Sequence, residues 1–282
     1  MDFRADIAEG DAAAKQDLIE ASFIDSASQN IEHLIHIRQV SIDVIINLTH
    51  EPRAVSVCRI FEGRAIDKPD TGEHARHFSV LDYLRHYFNV PILADTVSNC
   101  SAIGERYFGI AEDVSDMIYL SVGYGIGAGI VVNGKQCRGS EGFAGDVGHM
   151  VIDPNGPQCP CGKKGCWEVM ASSIAAGESF KSLAEKAESG DPAAISMLNK
   201  IGCNLGIGIS NLINVLNPQL VVLGGEVVHA GKWVMNPCRS TVRERAWPWV
   251  VEHTRIDFSG VTGEYAASVV GTMTKVIEYF LD

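Results

Sequence analysis

Gly139-Ser140-Glu141-Gly142-Phe143-Ala144-Gly145-Asp146-Val147-Gly148-His149, followed ten residues after the histidine by Cys159-Pro160-Cys161-Gly162-Lys163-Lys164-Gly165-Cys166-Trp167-Glu168, is the stretch from which the rest of the chain is read. One imidazole and three thiols satisfy a four-coordinate structural zinc site. The glycines and Pro160 permit the tight turns that bring closely spaced sulfurs onto one ion. The plain alternative is a set of buried free cysteines. A closed metal site would organise residues 138–165, which are rich in Gly, Pro, Asp and Cys, lack periodicity and form too long a segment for an idle loop. Acids lie in the same stretch: Asp146 three residues before His149, and Glu168 two after Cys166. Carboxylates and an imidazole held by such a loop suit recognition of a polyol, because carboxylate oxygens accept hydroxyl protons. For any one acid alone, a solvated acidic loop is the simpler reading.

Upstream, 117–122 and 128–132 read as strands on either side of a glycine turn, and Asn133-Gly134 signals a hairpin into 135–137. The apolar run 117–132 is interrupted by Gly123, Gly125, Gly127 and Gly129, so it reads as a strand pair rather than a membrane span. Backbone amides of such a turn can cradle phosphate, but glycine serves tight turning equally well. Gly123, Gly125 and Gly127 are therefore nucleotide-phosphate candidates only in company with Gly224 and Gly225, which follow the buried run 219–223. Helices are expected over 11–37, 79–88, 98–108, 172–186, 192–216 and 265–279, and strands over 42–48 and 90–94. This alternation predicts an α/β fold with a mainly parallel sheet in two lobes. The expected divisions are an N-terminal lobe at 1–115, a C-terminal lobe with the metal loop at 116–264, and a closing helix at 265–282 that packs back between the lobes.

The 282 residues are 46% hydrophobic and 21% charged, which excludes disordered and disulfide-stapled classes. Lys plus Arg number 23 against 35 Asp plus Glu, a formal charge of −12 that opposes direct nucleic-acid binding and points to small molecules. The first ten residues carry neither a basic flank nor an apolar h-region, so a cytoplasmic, reducing compartment without disulfides is expected, and no membrane partner. Of eight cysteines, Cys58, Cys100, Cys137, Cys203 and Cys238 are scattered and need no special role. His33, His36, His74, His77 and His86 lack acidic or cysteine neighbours at ligand spacing and read as surface or core positions. Trp247-Pro248-Trp249 reads as an interlobe or subunit contact.

With these residues assembled, the chain resembles the ROK family, the repressors and sugar kinases of the actin-like ATPase superfamily. The resemblance runs over about 90–281, carried by Gly-Asp146-Val-Gly-His149, by Cys159-x-Cys-Gly-x-x-Gly-Cys166-x-Glu168 and by Asn217-Pro-Gln-Leu-Val-Val-Leu-Gly-Gly225. It implies a two-lobed actin-like ATPase (ribonuclease H-like) α/β fold, here with an incomplete N-terminal lobe. It also implies zinc on His149, Cys159, Cys161 and Cys166, and a sugar bordered by Asn99, Asp146, His149 and Glu168. Asp146 replaces the family's usual Glu with a shorter carboxylate.

The departures bear on activity. The Asp-x-Gly-Gly-Thr turn with which family kinases bind ATP occurs nowhere in this sequence. The family's base sits in Asn-Asp-x-Asn; counting without gaps from Val90-Pro91 to Gly104-Glu105 puts Thr96-Val97 in place of the Asn-Asp pair and retains Asn99. Valine accepts no hydroxyl proton. Asp95 is the nearest carboxylate, two positions early, and no catalytic residue is assigned beyond that candidate. Tyr124 stands where a Thr is usual. Positioning and charge stabilisation supply nearly all of phosphoryl-transfer catalysis, so ATP and Mg2+ are not expected as cofactors. Repressor members carry an N-terminal winged helix, but residues 1–40 hold Asp2, Asp6, Glu9, Asp11, Asp17, Glu20, Asp25 and Glu32 against Arg4, Lys15 and Arg38, the wrong balance for reading DNA. The expected function is a zinc-stabilised sugar-binding or sugar phosphate-binding effector domain, paired as a homodimer or with a relative. A glucokinase-like hexose kinase using Asp95 and a purely structural partner are the alternatives.

Overall fold

The computed structural model describes Val44–Ile45, Val55–Cys58 and residues 91–281 apart from 141 and 262–265. The helices expected over 11–37 and 79–88, most of the strand expected over 42–48, and His33, His36, His74, His77 and His86 lie outside the described residues. Packing divides the chain into two units, Met1–Ala94 and Asp95–Asp282.

In the first unit, β1 (Val44–Ile45) pairs antiparallel with β2 (Val55–Cys58), Val44 opposite Val57 and Ile45 opposite Ser56. The three-stranded order is β1-β2-β3, with β3 (Ile92–Asp95) running up to the unit boundary.

The second unit opens with α1 (Val97–Phe108), capped by the Thr96 hydroxyl, which accepts from the Asn99 backbone N–H. Its sheet has the order β6-β5-β4-β7-β8, from β4 (Met117–Val122), β5 (Ile126–Val132), β6 (Lys135–Cys137), β7 (Leu220–Gly224) and β8 (Arg255–Phe258). β4, β7 and β8 are parallel, whereas β4-β5-β6 is an antiparallel meander. The sheet is thus mixed rather than mainly parallel, because short glycine turns reverse the chain after β4 and again at Asn133-Gly134, where a parallel pair would need a crossover helix.

The period of two along β4 buries it on both faces. Ile118, Leu120 and Val122 join the large core beneath α4 (Phe180–Glu188), α5 (Pro192–Leu216) and α6 (Lys232–Arg245), while Met117 and Tyr119 pack with Ala102 of α1 and Ala267 of α8 (Ala266–Leu281). Helices therefore cover both faces. The packing boundary falls at 94/95, and α1 lies against α8 and β5. The contact of α1 with α8 depends on two glycines, Gly104 and Gly271: a β-carbon at Gly271 would stand 1.8 Å from the Cys100 carbonyl oxygen.

α5 starts at the Asp191 cap and Pro192 and ends at Asn217 in the left-handed region, φ 46°. The helix expected over 172–186 is two pieces, α3 (Ser173–Ala176) and α4, separated at Gly177. The sequence reading has no element between 226 and 264, where the structure places α6, α7 (Pro248–Val251) and β8. Pro237 inside α6 reads as a breaker in sequence. No helix among the described residues is long and apolar enough to cross a membrane.

Candidate metal centre

Residues 149–168 are tied into a small irregular module by backbone hydrogen bonds. Val151 bridges Cys166 and Gln158 bridges Lys164, while the Cys159 N–H donates to the Lys163 carbonyl at 2.8 Å and the Gly162 N–H to that of Cys159 at 3.0 Å. This is a tight knuckle around Cys159 and Cys161. Gly165 closes it at φ +68°, with so little room that a β-carbon would stand 1.5 Å from the Asp153 carbonyl oxygen.

The knuckle brings together the four residues expected from the sequence. Ligand atoms of His149, Cys159, Cys161 and Cys166 all lie within 4.8 Å of one another. Cys161 Sγ is 3.6 Å from Cys166 Sγ, and Cys159 Sγ is 3.7 Å from His149 Nδ1. A tetrahedron with Zn–S bonds of ~2.3 Å and a Zn–N bond of ~2.0 Å has edges of about 3.5–3.8 Å, so this donor set fits a metal of that kind. Burial pushes the Cys159 thiol up to about 12 and holds Cys166 above its ordinary value. The Lys163 backbone N–H beside Cys161 lowers that thiol. A thiophilic cation bound here would displace thiol protons and so bind more tightly as pH rises.

Glu168 opens α2 (Glu168–Ala171), with Oε1 3.6 Å from His149 Nδ1 and 3.7 Å from Cys159 Sγ. His149 thus turns Nδ1 toward the sulfurs and leaves Nε2 as the ring atom for another partner. Asp146 is exposed just before the short helix Val147–His149. Gly145, at φ +104°, lets this loop lie against β5, where a β-carbon would stand 2.0 Å from the Ala128 carbonyl oxygen, and Ala128 N–H donates to Gly145 at 2.7 Å. On α1, Ser98 lies against Gly127 and Gly129 of β5. Strand β5 is therefore the shared neighbour of the α1 turn that carries Asn99 and of the loop bearing Asp146 and His149.

Asp95, at the end of β3, has its carboxylate fully engaged. Oδ1 accepts from Thr96 N–H at 2.8 Å and Asn99 Nδ2 at 2.7 Å; Oδ2 faces Arg138 at 2.5 Å and also Lys275 of α8. Val97 is half-buried at the first position of α1. Gly123 and Gly125 flank the exposed Tyr124 in the β4-β5 turn, and Gly127 lies on β5; Gly224 ends β7 and Gly225 follows it, with a β-carbon at Gly225 2.8 Å from the Val122 carbonyl oxygen. Both glycine sets thus stand at the same end of adjacent strands.

Sequence reading did not single out Trp167, Arg138 or Lys275. Trp167 is fully buried, donates from Nε1 to the Asn204 carbonyl at 2.9 Å and packs on Gly208, which anchors the cysteine module to α5. Its place between a ligand cysteine and Glu168 was the available signal. Trp247 and Trp249 are 65% and 66% exposed, the latter 5.5 Å from the His253 ring.

A family model described as the ROK family matches residues 21–271. The chain belongs to the ROK family. Among its relatives, the xylose repressor of Bacillus spizizenii is 35% identical over 216 residues, covering 73% of this chain and 56% of the repressor. A glucokinase of Halalkalibacterium halodurans is 31% identical over 202 residues, 63% of this chain and 61% of the enzyme. The crystal structure of a ROK family glucokinase from Streptomyces griseus, in complex with glucose and AMPPNP, superposes with a TM-score of 0.63 at 26% identity, over 71% of this chain and 73% of that one. The fold is accordingly the α/β actin-like ATPase class that the sequence motifs imply. The chain spans 54–56% of the length of the xylose repressors it matches.

Proposed function

We propose that this ROK protein binds a sugar through Asn99 of α1 and through Asp146, His149 and Glu168 of the segment held by zinc at His149, Cys159, Cys161 and Cys166, and that it senses the sugar rather than phosphorylating it. The observation that carries this reading is Val97 at the family's base position, beside an intact donor set for the metal and its neighbouring carboxylate. Asp95 does not replace the base: its carboxylate faces two cations and two N–H donors, so it is poorly disposed to take a hydroxyl proton. Tyr124 further places a bulky ring in the turn where phosphate would be cradled.

In this reading a bound zinc would supply only rigidity; His149 Nε2 donates to, and the Asp146 and Glu168 carboxylates accept from, adjacent hydroxyls. The net charge of −12 agrees with a sensing part that has no affinity of its own for DNA, and pairing with a second copy or a relative completes the proposal. Calorimetric titration with D-xylose, D-glucose and N-acetyl-D-glucosamine, together with a coupled assay for ADP release, tests it. Binding without turnover is expected. The glucokinase relatives favour the rival: turnover that disappears in Asp95→Asn would replace sensing with catalysis.

A further inference from the structure

Asn99 is 1% exposed, and its Oδ1 is a buried acceptor with no hydrogen-bond partner among the described residues. Its other amide atom is committed, since Nδ2 donates to Asp95 Oδ1 at 2.7 Å. An ionised carboxylate only accepts, so the amide cannot turn over: the NH2 must face Asp95 and the oxygen must face away. The surroundings hold both groups in place. Asp95 Oδ2 is pinned by Arg138 and Lys275, and the Asn99 carbonyl accepts from Gln136 Nε2 at 3.0 Å, with Gln136 Oε1 in turn accepting from Arg138 at 3.0 Å. Leaving a buried acceptor without a donor costs more than an ordinary hydrogen bond returns, so a rigidly aimed Oδ1 is a place kept for a donor.

We infer that Asp95 is a positioning residue of the ligand site: it locks the Asn99 amide so that the site requires, at one point on the ligand, a hydroxyl that donates. This deepens the reading of Asn99 as a sugar contact and rests on it. A substituent that only accepts, or none at all, leaves Oδ1 unpaired and is rejected. Asp95 thereby sets specificity without touching the ligand, and its four contacts, which disqualify it as a base, are what this role needs.

The test is calorimetric titration of the full chain with D-glucose, D-xylose and N-acetyl-D-glucosamine, and then with the deoxy and deoxyfluoro analogues of whichever binds, at each non-anomeric hydroxyl. Fluorine accepts weakly and cannot donate. At one ring position both analogues should bind roughly ten-fold more weakly than the parent. In Asp95→Asn the amide pair can turn over together, and the fluorine penalty at that position should fall below about three-fold. Lys275→Gln keeps the carboxylate and should keep the full penalty. Weakening in Asp95→Asn that is uniform over positions, with the fluorine penalty intact, makes Asp95 merely structural and overturns the inference. Should that variant not fold, the unmodified chain decides: a penalty confined to one position supports the locked acceptor, and fluorine tolerated everywhere overturns it. If none of the three parent sugars binds, the sugar-site reading itself falls and takes this inference with it, a result distinct from binding without discrimination.

Discussion

Cys159 and Cys161 are two residues apart yet differ as acids, one pushed up to about 12 by burial and the other lowered by the Lys163 N–H. Only a cation shared with Cys166 and His149 turns them into equivalent ligands, so Cys159→Ser should reduce bound zinc from about one per chain to well below half, read by elemental analysis of purified protein. A second residue-scale expectation concerns Tyr119, whose phenol is raised to about 12, mainly by burial, against 10.0 for the free group. The folded state then holds its proton where the unfolded state has lost it. The associated stability is fully present below pH ~10 and is lost as pH rises toward ~12, about 2–3 kcal/mol over that window. Denaturant unfolding at pH 9 and 11.5 checks this, and Tyr119→Phe should flatten the difference. At this scale the clustering of His149, Cys159, Cys161 and Cys166 was legible because spacing alone confines three sulfurs. Arg138 and Lys275 were not, since they reach Asp95 from 43 and 180 positions away in sequence.

Elements bring those side chains within reach, and the anchoring contacts are between elements rather than within them. Trp167 holds the cysteine module on α5 by filling the space over Gly208 and donating to the Asn204 carbonyl. Trp167→Ala should cost about 3–5 kcal/mol in denaturant unfolding and loosen metal binding as well. The α1-α8 contact should be equally intolerant: a β-carbon at Gly271 would collide with backbone, and Gly271→Ala is expected to destabilise by about 1–3 kcal/mol without changing zinc content. Strongly periodic elements with clear caps, such as α5 from Asp191-Pro192 to Asn217, could be read from sequence alone. α6 could not, because Pro237 breaks the local pattern while tertiary packing of α6 against Gly202 and Gly206 sustains the helix.

For the whole molecule, the cysteine module is a loop-rich segment with a small core of its own, Cys159, Cys166 and Val169, so under the proposed function most of its order would come from a bound ion and from Trp167. Chelation by EDTA should lower the thermal unfolding midpoint by more than about 5 °C and diminish the near-ultraviolet circular dichroism of the buried indole, with recovery on adding zinc. Local sequence was enough for the strand-turn-strand core, the long helix and the donor set of one histidine and three cysteines, because periodicity, caps and close spacing need no knowledge of the rest of the chain. Long-range packing settled the mixed order of the sheet and the engagement of Asp95 by two distant cations. Those depend on which residues far apart in sequence share one buried space, and that cannot be read from spacing within a single stretch of chain.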